Sequence, residues 1–416
     1  MTDEIPVSVI VVSRGRPQLL KRCLKGLGQL FYPLYEIIVV TDPDGVEAVQ
    51  ELGVSELIKV VPFDEANISI ARNLGIEQAA GQVVAFIDDD AVPEPTWLDH
   101  LTDVFKDDQI VAAGGFVRGR NGITFQWGAS LIDTTGQTTP LNTVDDTSFA
   151  PAPRKHAVKT EGTNCAFRRD ILMKLGGFDP AFRFYHDETD LNMRLRDTGL
   201  KTAIVPLAQV HHGYAQSDRR TADRVPTSLF EIGASTMVFL RKHAENDDII
   251  QGAIDKLVLE QKARLVKHAQ AGRLTDAKLD ELMSDLKDGI EDGKTRPIGK
   301  LPALKSSKPR FLAYPRENSS GKSVCIAGRL GTRDVLHMKA RRHVRAGDVA
   351  TVYLFSPTTL YHKVEFLEDG FWEQTGGLFG RAVRTEPAFQ MTRFQARVKR
   401  EWRRVARLRQ KGKFIV

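Results

Sequence analysis

The chain is poor in cysteine. Its three cysteines, Cys23, Cys165 and Cys325, lie far apart and form no CxxC pair. The odd number excludes a fully paired disulfide framework and the spacing excludes a zinc ribbon, so a reducing cytoplasm is expected. Long apolar runs are also missing, since no stretch approaches the roughly 18 residues of a membrane-spanning helix. The opening "MTDEIPVSVIVVS" starts acidic and enters a strand-like run at once, without the basic n-region of a secretion signal. No period of about 20–50 residues recurs, which removes solenoids and propellers. Charge is nearly balanced at 59 Lys and Arg against 53 Asp and Glu. The excess is uneven, because the last 25 or so residues are dense in Arg and Lys.

The 416 residues, 42% of them hydrophobic, suffice for more than one core. Residues 7–117 alternate strand-like and helix-like patterns: "VSVIVV", a helix carrying Leu19, Leu20, Cys23, Leu24 and Leu27, "EIIVV", "LIKVV", a helix near Ser69–Ala79, "VVAFI", a helix from Pro95, and "IVAAGGFV". This order predicts a mainly parallel sheet covered on both faces. Residues 118–160 read as irregular. A helix around 188–198 and the strand "TAIVPLAQV" follow. Helical stripes then carry Ile254, Leu257, Val258 and Leu265, and Leu279, Leu282, Met283, Leu286 and Ile290.

The stretch "VVAFIDDDAVPEP", Val83 to Pro95, crowds three aspartates at the end of an apolar run. Val83–Ile87 has the pattern of a strand buried on both faces, and Pro93 and Pro95 stop any ladder soon afterwards. Asp88, Asp89 and Asp90 therefore sit at a strand's carboxyl end, the edge over which open α/β sheets bind ligands. Carboxylates this close repel unless a cation or hydrogen-bond donors hold them ionised, so a hard divalent metal is expected. An EF-hand loop fails: counted from Asp88, the fifth position is Val92, the sixth is Pro93 and the twelfth is Asp99. The purely structural alternative is a turn whose aspartates cap the next helix.

A second acidic cluster lies in "FYHDETDLNMRLRDTG", Phe184 to Gly199. Asp187 is placed as a helix N-cap, Asp190 as its capping-box partner and the i,i+4 mate of Arg194. Glu188 is left in the first turn without a structural duty, kept ionised by the helix dipole and suited to act as a general base. The alternative is a solvated first-turn acid. The strand ending in His211 and His212 brings imidazoles toward the same edge as metal-ligand candidates. Asp42, after "EIIVV", could accept from a base or ribose or merely serve the turn "TDPDG"; Arg72 and Asn73 could donate to a base or phosphate.

Taken in order, "VSVIVVSRGRPQLLKRCL", "EIIVVTDPDG", "ISIARNLGIEQAAGQVVAFIDDDAVPEPTWL", "EGTNCAFRRDILMKLGGFDPAFRFYHDETDLNMRLRDTGL" and "VHHG" resemble the family-2 glycosyltransferases of the GT-A fold, from about residue 5 to about 215. The resemblance implies an α/β GT-A fold and a metal-dependent, inverting transfer from a nucleotide-diphosphate sugar, UDP foremost, to a hydroxyl of a glycan or lipid-linked acceptor. It implies that Asp42 and Arg72 hold the base and that Asp88 and Asp90 are the DxD pair, with Asp90 on the metal. Asp89 and Asn164 join the donor contacts, and Asp187 and Glu188 stand for the acidic pair near the acceptor. That pair usually runs Glu then Asp; here the order is reversed. Mn²⁺ or Mg²⁺ is the implied cofactor. The rivals are a nucleotidyltransferase, for which "SRGRPQ" is a thin match to the required loop, and a non-catalytic nucleotide-sugar-binding scaffold.

The expected organisation is a GT-A domain over 1–240, a helical segment over 241–295, a linker over 296–321, an accessory α/β unit over 322–388 and a basic amphipathic helix over 389–416. "RENSSGKS", Arg316 to Ser323, imitates a phosphate-binding P-loop, but Arg316 fills its first Gly position and the strand follows the motif instead of preceding it. Within the tail, Phe394, Val398, Trp402 and Val405 recur at helical spacing among Arg and Lys. This pattern fits a helix on an anionic membrane surface, peripheral to the inner face, or a helix docked on the protein itself. No nucleic-acid motif accompanies the charge.

Overall fold

The computed structural model describes residues 4–141, 148–149, 152, 155–213, 221, 223–305, 309–315 and 321–409. The main sheet runs in the order Ser148–Phe149, Lys201–His212, Ile110–Arg118, Cys165–Arg168, Val83–Asp88, Val7–Ser13, Tyr35–Thr41, Lys59–Pro62. Most neighbours are parallel, and Cys165–Arg168 is inserted antiparallel between Val83–Asp88 and Ile110–Arg118.

Continuous apolar strands follow from cores on both faces. Val7, Val9 and Val11 face the helix Pro17–Leu27, together with Trp97, Leu98 and Leu101. Ile10, one step out of phase, faces the helix Ile68–Gln78 through Ala71 and Ile76, and Leu191 and Leu195 complete that side. The strand period of two thus divides a single run between two cores.

The predicted stripes form the helices Asp247–Gln270 and Asp276–Thr295, capped by Asn246 and Thr275. The helix Phe230–His243 packs with them, so the helical layer begins earlier than residue 241. Glycine permits the close crossing: a Cβ on Gly289 would stand 2.0 Å from the Phe230 carbonyl oxygen, and one on Gly293 would stand 2.5 Å from that of Ala234. Beyond the helices the chain is not a free spacer. Leu312 N donates to Glu36 Oε2 at 2.9 Å, and the Tyr314 ring stacks on Tyr35 at 5.5 Å. The P-loop-like residues 316–320 lie outside the described residues.

The accessory unit is a sheet in the order Ser323–Gly328, Val349–Ser356, Trp372–Gly377, Lys363–Phe366, with only the last strand antiparallel. The tail corrects an expectation. Along the helix Phe394–Arg404 and just past it, Val398, Trp402 and Val405 are buried against Cys325, Tyr353 and Phe355. The apolar stripe assigned to a membrane surface faces the protein's own sheet, because that sheet would otherwise leave one face in water. Residues 410–416 lie outside the described residues. Among the described residues no helix is long and apolar enough to cross a membrane. The two units share a seam in which Phe31, Val92 and Ile123 meet Val349, Val364, Phe366 and Trp372.

Candidate active site

Strand Val83–Asp88 ends with Asp88 beside Val12. After the turn, Ala91–Pro93 pairs antiparallel with Val210–His212, placing His212 opposite Ala91 and next to the aspartates. His212 Nε2 lies 3.2 Å from Asp90 Oδ1, and one ligand atom each from Asp88, Asp90 and His212 lies within 4.8 Å of the others. His212 Nδ1 meets Gln126 Oε1 at 3.1 Å. A carboxamide oxygen only accepts, so Gln126 suits an Nδ1–H and would leave Nε2 as the ligand atom for a metal. Two carboxylates and one imidazole could hold a hard divalent ion such as Mn²⁺ or Mg²⁺. The Asp88 side chain is 33% exposed and that of Asp90 is 2%, so the cluster opens to solvent on the Asp88 side.

Three expected site residues point elsewhere. Successive strand residues face opposite sides, so His211 turns away from the cluster. Its Nε2 meets Glu94 Oε1 at 2.7 Å and its ring packs on Trp372. Asn164 is fully buried with its amide committed: Nδ2 donates to Phe116 O and Ala208 O at 2.9 Å, and Oδ1 accepts from Trp97 Nε1 at 2.8 Å. Asp89 is enclosed, accepting from Ser13 Oγ at 2.7 Å and pairing with Arg16 at 2.6 Å. Burial pushes its carboxyl up to about 7, with Arg16 opposing.

Asp42 caps the helix Pro43–Glu51 through Gly45 N at 3.0 Å and accepts from Gly15 N at 2.6 Å. The turn reading and a place at the sheet edge hold together for this residue. Arg16 was missed by sequence reasoning; it stands a quarter exposed beside Asp89, with Nη1 3.9 Å from Asp90 Oδ2. Its signal was the Gly15–Arg16–Pro17 break between the first strand and helix.

Arg72 is buried, not presented to solvent. Its guanidinium lies over the Phe178 ring at 5.1 Å, pairs with Asp187, and reaches Asp88 Oδ1 at 3.5 Å and Gly162 O at 3.2 Å. It ties the metal-type cluster to the second acidic cluster. Asn73 is structural, joining the Phe178 backbone through Nδ2 at 2.7 Å and Oδ1 at 2.8 Å.

The helix Asp187–Arg196 starts one residue earlier than a cap at Asp187 predicts. Tyr185 and His186 both adopt positive φ, at 72° and 65°. Left-handed non-glycine residues cost of order 1–3 kcal/mol each and persist only where packing over-determines them. Here His186 stacks on Phe239 at 5.0 Å, and Ser235 Oγ donates to Phe184 O at 2.8 Å. Asp190 pairs with Arg194 at 2.7 Å as expected, and also with Lys242 at 2.7 Å and His243 at 2.9 Å. Burial alone would raise its carboxyl, but His243, Arg194 and Lys242 hold it well below the usual range. Helix Phe230–His243 therefore buttresses the acidic helix. Burial pushes Asp187 up to about 7 against the pull of Arg72, and a side-chain hydrogen bond with Glu188 adds to the rise. Glu188 is only partly buried, so of the two carboxyls it is the one open to an incoming group.

The family model described as Glycosyl transferase family 2 matches residues 8–176. Succinoglycan biosynthesis protein ExoM of Rhizobium meliloti is 30% identical over 222 residues, which cover 50% of this chain and 67% of that protein. The chain belongs to glycosyl transferase family 2. O-antigen biosynthesis protein RfbC of Myxococcus xanthus is 26% identical over 232 residues, 53% of this chain. The chain spans only 18% of the length of RfbC. The crystal structure of GalNAc-T7 with UDP, GalNAc and Mn²⁺ aligns over 70% of this chain and 55% of that one, at 18% identity and a TM-score of 0.45. The matched family-2 region contains the main-sheet strands through Cys165–Arg168 and the Asp88–Asp90 turn, but stops short of Glu188 and His212.

Proposed function

We propose that this family-2 chain is a metal-dependent, inverting glycosyltransferase that moves a sugar from a nucleotide-diphosphate donor to a hydroxyl of a glycan or lipid-linked acceptor. The observation that carries the reading is Arg72, which joins the Asp88 end of the metal-type cluster to Asp187 beside Glu188. A donor-side cluster and an acceptor-side carboxylate are thereby fixed to one guanidinium. Asp88, Asp90 and His212 would hold Mn²⁺ or Mg²⁺, which when bound supplies positive charge against the donor diphosphate. Arg16 stands at the rim as a second cation for that diphosphate, and Asp42 lies at the sheet edge where the nucleoside would rest.

Glu188 accepts the proton of the acceptor hydroxyl, whose oxygen bonds to the anomeric carbon as the bond from that carbon to the diphosphate oxygen breaks and the nucleoside diphosphate departs with the electron pair. Asp187, paired with Arg72 and hydrogen-bonded to Glu188, orients that carboxylate. A nucleotidyltransferase or a scaffold would not require a solvent-facing carboxylate at the head of a strained helix. The test incubates the full chain and Mn²⁺ with a panel of UDP-, GDP- and dTDP-sugars and a polar lipid extract, with mass spectrometry of the products. A hexose-sized mass gain that disappears with EDTA is expected. Transfer of a nucleotidyl group, or no product with any donor, would overturn the reading.

A further inference from the structure

The seam between the two units contains a cleft of about 420 Å³, lined by Asn121, Thr124, Tyr361, His362, Arg381 and Arg384. None of Asp88, Asp90, Asp187 or Glu188 lines it, so it is separate from the transfer site. Its size falls in the range of small-molecule sites, roughly 300–1,000 Å³.

Charge in the cleft has one sign. Arg381 and Arg384 line it and no carboxylate does. The Arg381 guanidinium lies over the Tyr361 ring at 4.5 Å and donates to the Arg384 carbonyl oxygen at 3.3 Å. Its Nε is buried without a hydrogen-bond partner. Several buried or partly buried arginines of the same unit are matched with acids, Arg397 with Glu401 and Arg404 with Glu386 among them, whereas Arg381 meets a ring and a carbonyl oxygen. A guanidinium held in place and lacking an anion is a fork aimed at one, since carboxylates and phosphates accept from it bidentately. His362, buried behind it, is shifted toward its neutral form by burial and adds no charge.

The remaining groups favour a sugar ring. Tyr361 is 58% exposed, which leaves an aromatic face available for the C–H face of a saccharide. Asn121 Oδ1 accepts from Ile123 N, Thr124 N and Thr124 Oγ1, so its Nδ2 remains as a donor toward the cleft. The geometry points to a binding site for an acidic saccharide unit, one that bears a carboxylate or a phosphate. Its use as a holding site for the acceptor glycan rests on the proposed transfer reaction; the binding itself does not. The turn that walls the cleft runs directly into Phe125–Trp127, whose Gln126 holds His212. Val364 N fixes the same turn by donating to Asn121 O at 2.8 Å.

Calorimetry of the full chain, in EDTA and without donor, tests the site with trigalacturonic acid, its neutral methyl ester and glucose 6-phosphate. At least one acidic probe is expected to bind, and which one does so distinguishes carboxylate from phosphate. The ester should bind at least about tenfold more weakly than the free acid where the acid binds, as should the acidic probe to Arg384→Ala or Arg381→Ala, the scale of one charged hydrogen bond. Arg384 is exposed, so its variant keeps the test valid if Arg381→Ala misfolds. UDP–Mn²⁺ affinity should be unchanged in both. Absence of binding by every acidic probe, an ester that matches its acid, or an unaltered Arg384→Ala would overturn the site. A chain that binds UDP–Mn²⁺ but no acidic saccharide sinks the cleft alone; one that binds acidic saccharides but transfers nothing supports the cleft and sinks only the transfer reading.

Discussion

Arg409 closes a bidentate ion pair on Glu94, 315 positions earlier, with Nε–Oε2 at 2.6 Å and Nη2–Oε1 at 2.7 Å. Glu94 also holds His211, and the Arg409 guanidinium lies over the Trp372 ring at 3.9 Å. The end of the described chain thus reaches back to the strand that carries His212. Arg118 lies in the same buried group and lacks a carboxylate of its own, donating to Gln209 Oε1 at 2.7 Å. The C-terminal unit in this sense braces the strand that carries His212 from its opposite face.

Arg409→Met should be strongly destabilising, because it leaves Glu94 buried opposite a neutral His211. Breaking one side of a buried pair costs about 3–5 kcal/mol, whereas replacing both sides is far milder. Urea unfolding of Arg409→Met, Glu94→Gln and the double variant checks this. The double variant should recover a large part of the loss, and a purely additive cycle would rule out the coupling.

The two histidines should separate in metal binding. His212→Ala and Gln126→Leu are both expected to weaken Mn²⁺ binding in the presence of UDP, the latter by about 10–100-fold as for loss of an orienting partner. His211→Gln should change stability and leave Mn²⁺ affinity within a few-fold. Calorimetric titration of the three variants decides, and equal losses at His211 and His212 would contradict the facing read from the strand.

How far the sequence reveals this arrangement depends on the range of each contact. Val83–Ile87 is legible because a strand buried on both faces must be apolar throughout, and Asp88 and Asp90 are legible as a candidate site because like charges at its end need a cation or hydrogen-bond donors to stay ionised. The choice between His211 and His212 is not, since it is set by pairing with Ala91–Pro93 more than a hundred residues away. The tail shows the same limit: the spacing of Val398 and Trp402 reveals a stripe, but only the fold reveals that Tyr353 and Phe355 cover it. The strained Tyr185–His186 pair leaves no mark, because neither residue is a glycine.

Stability without metal should be nearly flat between about pH 4.5 and 6.5. Burial raises Asp89 and Asp187 to about 7, so in this window the folded chain binds protons there that the unfolded chain does not. Burial lowers His186 to about 3 and His211 to about 4, so the unfolded chain binds protons there that the folded chain does not. The two pairs have opposite sign and offset one another, leaving a shallow rise with pH from His362 and His268, which are also lowered. Below about pH 4 the balance fails. Glu94 and Asp190, which burial would raise but Arg409 and His243 hold well below the carboxylate range, contribute stability that is complete above their unfolded pKa and is lost as pH falls. Each contributes a slope of at most about 1.4 kcal/mol per pH unit there. Urea midpoints measured from pH 3 to 7 check the shape, and a steep, steady decline from pH 7 downward would contradict the compensation.

The acidic pair gives the sharpest test of mechanism. Glu188→Gln keeps size and removes the proton acceptor, so kcat should fall by about 10² to 10⁴ while donor affinity stays near that of the parent. Asp187→Asn should behave differently, because Asp187 is the buried partner of Arg72 and Arg72 also reaches Asp88. Its loss leaves a buried guanidinium half-paired, so stability, Mn²⁺-dependent donor affinity and kcat should all fall together. If Glu188 were only a first-turn acid, its replacement would cost a few tenths of a kcal/mol of helix stability, about the scale of a helix-dipole contact, and leave turnover intact. Donor Kd and kcat for the two variants, with unfolding midpoints, separate these cases. A Glu188→Gln chain with near-parental kcat would remove Glu188 as the base. The proton would then have to go to Asp187, and Asp187→Asn would have to abolish turnover even where its fold and donor binding are restored by excess Mn²⁺.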